Sequence, residues 1–550
     1  MKILLVVSGF NSLTQSVFVK LQDEGHNLSV QYATKTNDNS ILNEVNRFSP
    51  DIIICPYLKK FIPKEVFTKI PTYILHPGLR GDKGHHSLDH VIRDDKKQWG
   101  VVLLRANEHF DGGDIYSEVK YEVRDTYKAS LYRDEVVTAT LQAIDELLVN
   151  IQDKNFKPIK QLNTPLHHYL TTQDRQIDWQ KDTTLEIVRK VYASDSYPGV
   201  LDEILGIQCY LFGAWEEEKL TGEIKEVLAK RDGAICLGTI DGAIWITHLK
   251  VKNGIKLPAT YVLKEKIQGV KENRLSLTFD MSYKTFYEIG SHKDGDVSYL
   301  CFNFHNGAMN SEQAIRLKYA FEYLKETAKV IVLIGARDFF SNGIHLNILE
   351  DSQKQGEDGW SNINAMNDLI KSIIFADDVI TVSSLHRNAG AGGVFLALAC
   401  DYVVGKENTV LNPHYKTMGL SGSEYHTYSL PKRVGQKKAD ELLKNCLPLS
   451  TQKAKKIGMI DEVFSHSDYF DSLRSYATSL IDDEDKYDDF IYDKEDYLED
   501  NKEYINDCKE NEIKIMYPEF WEETSLFHKL RYDFVYKNSS SETPKRLKGY

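Results

Sequence analysis

Residues 72–92 read TYILHPGLRGDKGHHSLDHVI. A β-type apolar run ends on His76, a Pro-Gly pair turns the chain, and a helical pattern begins near Ser87. In open α/β sheets, functional groups gather at the carboxyl ends of strands. His76 stands at such an end. A second tight turn, FDGGDI at 110–115, follows the apolar run GVVLLR at 100–105. A His and an Asp on neighbouring strand ends can form an acid/base pair, which makes His76 and Asp111 the first candidates.

Outward from this stretch, strand patterns at 1–10, 28–33, 51–55, 73–75 and 100–104 alternate with helical patterns at 16–24, 40–48 and 139–150. Short β-rich runs separated by helices predict a parallel sheet covered on both faces. Residues 165–260 change character. A helix at 184–192 and the turn SYPG at 196–199 precede short strands at 208–212, 222–226, 234–236 and 242–249, which read as a small β-barrel. From about 297 the β/α rhythm returns, with buried strands VSYLCFNF and VIVLIGA, a helix at 311–328, a strand at 379–384 and an apolar helix at 392–400.

The chain has 550 residues, too many for one core, since single cores stop growing near ~250–300 residues. Domains are expected at 1–160, 161–275 and 276–480, with an extension at 481–550 that is acidic and then aromatic. The 68 Lys+Arg against 81 Asp+Glu give −13, which argues against general nucleic-acid binding. Eleven Asp/Glu against two Lys in 481–500 account for −9 of this, leaving −4 elsewhere, so anionic ligands are not excluded. That segment reads as a solvated linker or exposed helix, although Tyr487, Phe490, Tyr492 and Tyr497 give it a means to pack. Seven scattered cysteines with no C-x-x-C pair fit a reducing, cytoplasmic compartment. The start lacks a cationic leader, and no uncharged apolar run of membrane-spanning length occurs, so no membrane association is expected. His85, His86, Asp89 and His90 form a local cluster in which helix-start packing or phosphate contact is favoured over a metal.

The stretches DIIICPYLKKFIPKEVF, HPGLRG and WGVVLLRANEHFDGGDI together resemble the 10-formyltetrahydrofolate-dependent formyltransferases. Ile177-Asp178-Trp179, Tyr197-Pro198-Gly199 and Gly222-Glu223-Ile224 extend the likeness to the second domain of methionyl-tRNA formyltransferase, an OB-like barrel. The resemblance spans roughly residues 1–260 and implies a folate site with His76 and Asp111 as catalytic pair, and Ile74, Arg80 and Asp114 beside the folate. The family's asparagine is missing, because Ile74 occupies its position. Loss of an oxyanion donor typically costs ~10²–10³ in rate. Either the acceptor is unusually reactive, as a thiol would be, or another donor substitutes.

Two glycine turns mark the second half: FFSNGIHL at 339–346 and NAGAGG at 388–393, the latter opening into a helix. Small residues admit a ligand carbonyl to the main chain, and helix N-termini supply free N–H groups, so two facing turns would make an oxyanion hole. With GAMN, LALACD, LNP and STQKAKKIGMIDEVF they resemble the crotonase (enoyl-CoA hydratase/isomerase) superfamily over 297–465. That resemblance implies a coenzyme A thioester site. The Ile344 and Gly392 amides would form the oxyanion hole, and Asn342, Leu346 and Gly393 would lie along the cofactor. The hydratase carboxylates are absent, one aligned position being Phe395; Glu424 and Tyr415 are the acid/base candidates in their place.

The expected fold class is therefore α/β multidomain: a parallel-sheet formyltransferase fold, a small OB-like barrel and a crotonase fold. The domain order, with HPGLRGDKG and NPHYKTMGLSGSEY, resembles the HypX family of [NiFe]-hydrogenase maturation factors. The resemblance implies formyl transfer from 10-formyltetrahydrofolate to coenzyme A, then loss of carbon monoxide from formyl-CoA, with other maturation proteins as partners. Alternatives are a formyltransferase coupled to acyl-CoA hydrolysis or isomerisation, and a folate- and CoA-binding scaffold.

Overall fold

Ile3 to Val7 are all fully buried, as expected of a strand covered on both faces. They belong to β1 (Lys2–Val7), which pairs in parallel with β2 (Asn27–Tyr32) and β3 (Ile52–Cys55); β4 (Thr72–His76) continues the parallel set beside β3. The structure is a computed structural model that describes residues 1–33, 39–538, 540 and 542–549. The chain divides into two units, the first built from residues 1–274, 282–286 and the last residues of the chain, the second from 275–281 and 287–538.

In the first unit the sheet order is β2-β1-β3-β4-β5-β6, with β5 (Gln98–Arg105) and β6 (Ile115–Glu122) antiparallel. The sheet is thus mixed, and the all-parallel expectation holds only for its first four strands. The short link 106–114 between β5 and β6 is the FDGGDI turn, and strands joined by so short a connection must run antiparallel. Helices Ser12–Asp23, Asn39–Phe48 and Val137–Asn150 flank the sheet, the first capped by Asn11, whose side chain accepts from the Thr14 N–H at 3.0 Å.

The same unit holds a second, antiparallel sheet of β7 (Val200–Ile204), β8 (Ile207–Glu217), β9 (Val227–Arg231), β10 (Ala234–Gly238), β11 (Ala243–Val251) and β12 (Lys256–Pro258). Its path is β7-β8-β11-β10-β9, with β12 on β11. The strand expected at 222–226 lies further along, as β9, because Lys225 sits at φ +62°, outside extended geometry. No pairing of β7 with β9 closes the path among the described residues, so the OB-like closure stays an expectation.

The second unit is built on the order β13-β14-β16-β18-β20-β23: Ile289–Asp294, Val297–Phe302, Val330–Ile334, Ile380–Leu385, Tyr402–Lys406 and Glu462–Phe464. All but the β13–β14 hairpin are parallel. Two small ladders carry the glycine turns: β15 (Ala308–Met309) with β17 (Gly343–Ile344), and β19 (Ala389–Gly390) with β21 (Val410–Asn412) and β22 (Leu449–Ser450). The acidic segment forms the first half of a 38-residue helix, Glu484–Trp521. Its buried residues Tyr487, Leu498, Ile505, Cys508, Glu512, Met516 and Phe520 follow helical spacing, so one face packs while the acidic run stays in water. No helix among the described residues is long and apolar enough to cross a membrane.

Candidate functional site

The carboxyl end of β4 places His76 between two carboxylates. Its Nε2 lies 2.6 Å from Asp82 Oδ2, and its Nδ1 lies 3.4 Å from Asp111 Oδ2. Relative exposures of 4%, 7% and 9% for His76, Asp82 and Asp111 put the whole group out of bulk solvent. Asp111 sits at φ +48° in the β5–β6 turn, where Oδ2 accepts from the Gly84 N–H at 3.1 Å and the carbonyl accepts from Gln161 Nε2 at 3.1 Å. Asp82 Oδ1 meets His167 Nε2. The close approach of Asp82 to His76 requires Gly78, since a Cβ there would fall 2.1 Å from Asp82 Oδ2 and 2.5 Å from His76 Nε2.

Burial alone would push the His76 imidazole down. The hydrogen bond to Asp82 and the charges of Asp111 and Asp82 outweigh it and hold His76 above its ordinary value. Burial likewise pushes the Asp82 carboxyl up, but His76 and His167 outweigh it and hold Asp82 below the usual carboxylate range. The expected pair, His76 and Asp111, is brought together, yet the tighter partner is Asp82, which the sequence reading missed. Asp82 follows His76 by six residues in a glycine-flanked loop, a signal that could have found it; His167, far along the chain, offered none.

Ile74 packs its side chain against Val102, Leu104 and Ile115. Arg80 and Asp114 both meet Lys160: Arg80 Nε donates to the Lys160 carbonyl at 2.8 Å, and Lys160 Nζ pairs with Asp114 Oδ2 at 2.7 Å. The local histidine cluster disperses. Asp89 pairs with Lys128 at 3.1 Å and Arg175 at 2.7 Å, His86 Nδ1 accepts from the Leu170 N–H at 3.1 Å, and His90 stacks on His167 at 4.7 Å.

In the second unit the two glycine turns meet. The Gly390 N–H donates to the Ser341 carbonyl at 3.0 Å, and a Cβ at Gly343 would lie 3.4 Å from the Gly392 nitrogen. Gly392 is the first residue of the helix Gly392–Leu398, so its N–H has no intrahelical acceptor. Gly393 packs against the main chain: a Cβ there would fall 2.0 Å from the Ser341 carbonyl oxygen. Asn342 Nδ2 donates to the Asn306 carbonyl at 2.7 Å, while Ile344 and Leu346 lean, half-buried, on the core.

Glu424 stands over this junction, its Oε1 2.5 Å from where a Gly392 Cβ would be. Its carboxylate accepts from the Tyr415 hydroxyl at 2.7 Å and the Ser423 hydroxyl at 2.8 Å, and its main-chain N–H donates to Asn367 Oδ1 at 2.9 Å. Asn367 Nδ2, on the same buried amide, has no partner among the described residues. Phe395 stacks on Tyr415, with ring centres 5.3 Å apart and planes 13° apart. Burial raises the Glu424 carboxyl above its ordinary value against the lowering effect of Tyr415 and Ser423, and burial with the Glu424 charge holds Tyr415 well above its own.

Glu424 and Tyr425 take consecutive positive φ values, +62° and +56°, and a residue on the helix Glu484–Trp521 braces them. Buried Glu512 accepts from the N–H groups of Tyr425 at 2.9 Å and Thr427 at 2.7 Å and from the Thr427 hydroxyl at 2.6 Å, and pairs with His426 Nδ1 at 3.2 Å. Sequence reasoning missed Glu512, Asn367 and His426.

Three family models match this chain: formyl transferase over residues 15–148, formyl transferase C-terminal domain over 169–266, and enoyl-CoA hydratase/isomerase over 301–495. The chain is 33% identical to hydrogenase maturation factor HoxX of Bradyrhizobium diazoefficiens, over 100% of this chain and 97% of the relative. The crystal structure of HypX from Aquifex aeolicus in complex with tetrahydrofolic acid superposes with a TM-score of 0.97 at 40% identity, covering 100% of this chain and 98% of that one. The chain belongs to the HypX/HoxX family of hydrogenase maturation factors. A methionyl-tRNA formyltransferase of Bacillus velezensis is 24% identical over 42% of this chain and 75% of its own length. The HypX fold thus joins a formyltransferase half, which holds the His76 group, to a crotonase-like half, which holds Glu424.

Proposed function

We propose that the chain makes carbon monoxide for the [NiFe] centre by transferring a formyl group from 10-formyltetrahydrofolate to coenzyme A and then decarbonylating the formyl thioester. The observation that carries the reading is Glu424 seated against Gly392. A buried, proton-competent carboxyl faces the helix N-terminus that would receive the thioester oxygen. The tetrahydrofolate complex of the Aquifex protein supports folate as the ligand of the first half.

In the first step His76 donates to the formyl oxygen as the tetrahedral centre forms, and Asp111 orients the imidazole. The sulfur–carbon bond forms, the carbon–N10 bond breaks, and the proton lost by the thiol is balanced by the one gained at N10. In the second step the Gly392 and Ile344 N–H groups hold the thioester oxygen. Glu424 takes the formyl proton, the carbon–sulfur electron pair goes to sulfur, and Glu424 returns the proton to the thiolate through Tyr415. Asn342, Leu346 and Gly393 line the CoA side, and Ile74, Arg80 and Asp114 the folate side. The junction of Gly343 with Gly392 fits a thioester, because neither residue has a Cβ to obstruct it. Seven free cysteines support a reducing, cytoplasmic setting.

Haemoglobin trapping of carbon monoxide from carbonyl-labelled formyl-tetrahydrofolate plus coenzyme A tests the reading. Labelled carbon monoxide is expected, and His76→Ala should cut folate turnover by ~10²–10⁴. Labelled formate alone would sink decarbonylation.

A further inference from the structure

His76 has more negative charge around it than a histidine in acid/base work requires. One carboxylate orients an imidazole; here Asp82 grips Nε2 at 2.6 Å and Asp111 stands off Nδ1 at 3.4 Å. The two contacts differ in kind. The Asp82 contact is short, buried and made possible by the missing Cβ of Gly78, whereas the longer contact to Asp111 leaves Nδ1 the ring atom a substrate can capture.

The neighbouring wall explains why a charged donor matters. Residues two apart on a strand face the same side, so Ile74 is the β4 side chain beside His76, and it is engaged with Val102, Leu104 and Ile115. An oxyanion forming at this strand end finds His76 as the donor that β4 offers. A neutral imidazole gives one ordinary hydrogen bond. An imidazolium gives a charge-assisted one, roughly twice as strong.

We propose that Asp82, clamped between His76 and His167, is a positioning residue that keeps His76 an imidazolium and so supplies the oxyanion stabilisation that Ile74 cannot. The inference rests on the formyl-transfer half of the function proposed above. The charged and titratable groups facing the trio are Asp111 from the β5–β6 turn, His90 stacked on His167, and Tyr121 of β6, whose hydroxyl feels the Asp82 charge. His167 occupies the second Asp82 oxygen, so the carboxylate cannot rotate away from Nε2. Nε2–H stays on Asp82 and Nδ1–H is presented to substrate. As N10 leaves with the Nδ1 proton, the neutral ring recovers a proton equal to the one released by the thiol.

The test is the full-length Asp82→Asn protein, with two readouts. The His76 ring resonances, titrated by NMR, should shift their midpoint to lower pH by at least one unit, and the falling limb of the kcat–pH profile for formyl-tetrahydrofolate turnover should move with it, with KM for folate changed less than threefold. Adding Ile74→Asn should recover at least tenfold of the rate lost by Asp82→Asn. An unmoved His76 midpoint, or a rate loss equal at every pH and unrelieved by Ile74→Asn, overturns the proposal. A wild-type protein that never turns over formyl-tetrahydrofolate would defeat the formyl-transfer reading instead. The His76 titration would still judge the Asp82 linkage, because it needs no turnover.

Discussion

Burial holds the Glu424 carboxyl above its ordinary range even though Tyr415 and Ser423 both donate to it. A carboxyl displaced towards neutral pH can lose and regain a proton within one cycle, which an ordinary exposed carboxylate does poorly. Glu424→Gln keeps the size and the hydrogen bonds but removes the titrating group. It should cut carbon monoxide release by about 10²–10⁴ while tetrahydrofolate still forms, read by carbon monoxide trapping alongside folate absorbance. In the proposed mechanism the pH dependence has two opposite limbs. The ionised Glu424 needed as base accumulates as pH rises through its raised value. The protonated His76 needed as acid is lost as pH rises through its own raised value, above the ordinary 6.5. Coupled turnover should therefore be bell-shaped, and an Asp82→Asn protein should lose the alkaline limb first. His76, Asp111, Tyr415 and Glu424 could be named from motifs because each lies in a turn with recognisable neighbours. Asp82 is marked in the sequence only by its six-residue spacing from His76 in a glycine-flanked loop, and its burial against His76 is what gives it a role.

At the scale of elements, the helix Glu484–Trp521 shows how a charge-rich sequence can serve a buried purpose. Its exposed face carries the acidic run, and its buried face delivers Glu512 to a strained turn. Positive φ at two consecutive non-glycine residues costs of order 1–3 kcal/mol each, and the Glu512 hydrogen bonds to the N–H groups of Tyr425 and Thr427 hold that turn in place. Glu512→Ala strips these acceptors and leaves His426 buried without its carboxylate. Loss of one partner of a buried pair costs about 3–5 kcal/mol, so urea denaturation should show a destabilisation of that order, with the carbon monoxide step proposed for the second unit lost before folate turnover. The sheets tell a similar story. Continuous apolar runs mark β1, β3, β14 and β16, whereas β6 alternates buried with less buried residues and carries no such run, so the antiparallel edge of the first sheet is not legible in the sequence. The displaced β9 turns on Lys225, whose left-handed conformation no propensity signals.

At the scale of the molecule, one chain carries a formyltransferase half and a crotonase-like half, and the proposed function runs their chemistry in series through a carrier that returns unchanged. If the carrier is coenzyme A, it should act catalytically: carbon monoxide formed should exceed coenzyme A supplied when formyl-tetrahydrofolate is in excess. A yield that stops at one carbon monoxide per coenzyme A would mean that the thiol is consumed and is not a returning carrier. The net charge belongs to this scale as well. Of the −13, −9 resides in 481–500, most of it on the first half of the helix Glu484–Trp521, and the remaining −4 is compatible with two anionic ligands.

By itself the sequence determined the class of each half, and it offered the strand ends, the glycine turns and the residues His76, Asp111, Tyr415 and Glu424 as candidates. These depend on local pattern: apolar periodicity, turn residues and short motifs whose meaning lies within a few neighbours. The tertiary structure alone decided which carboxylate grips His76, that His167 closes the far side of Asp82, that Glu512 braces the Glu424 turn, and that the first sheet ends in an antiparallel edge. Those contacts join residues far apart in the chain or depend on burial. Burial is what turns a common Asp, Glu or His into a group with a shifted proton affinity, because removal from water makes each remaining partner count.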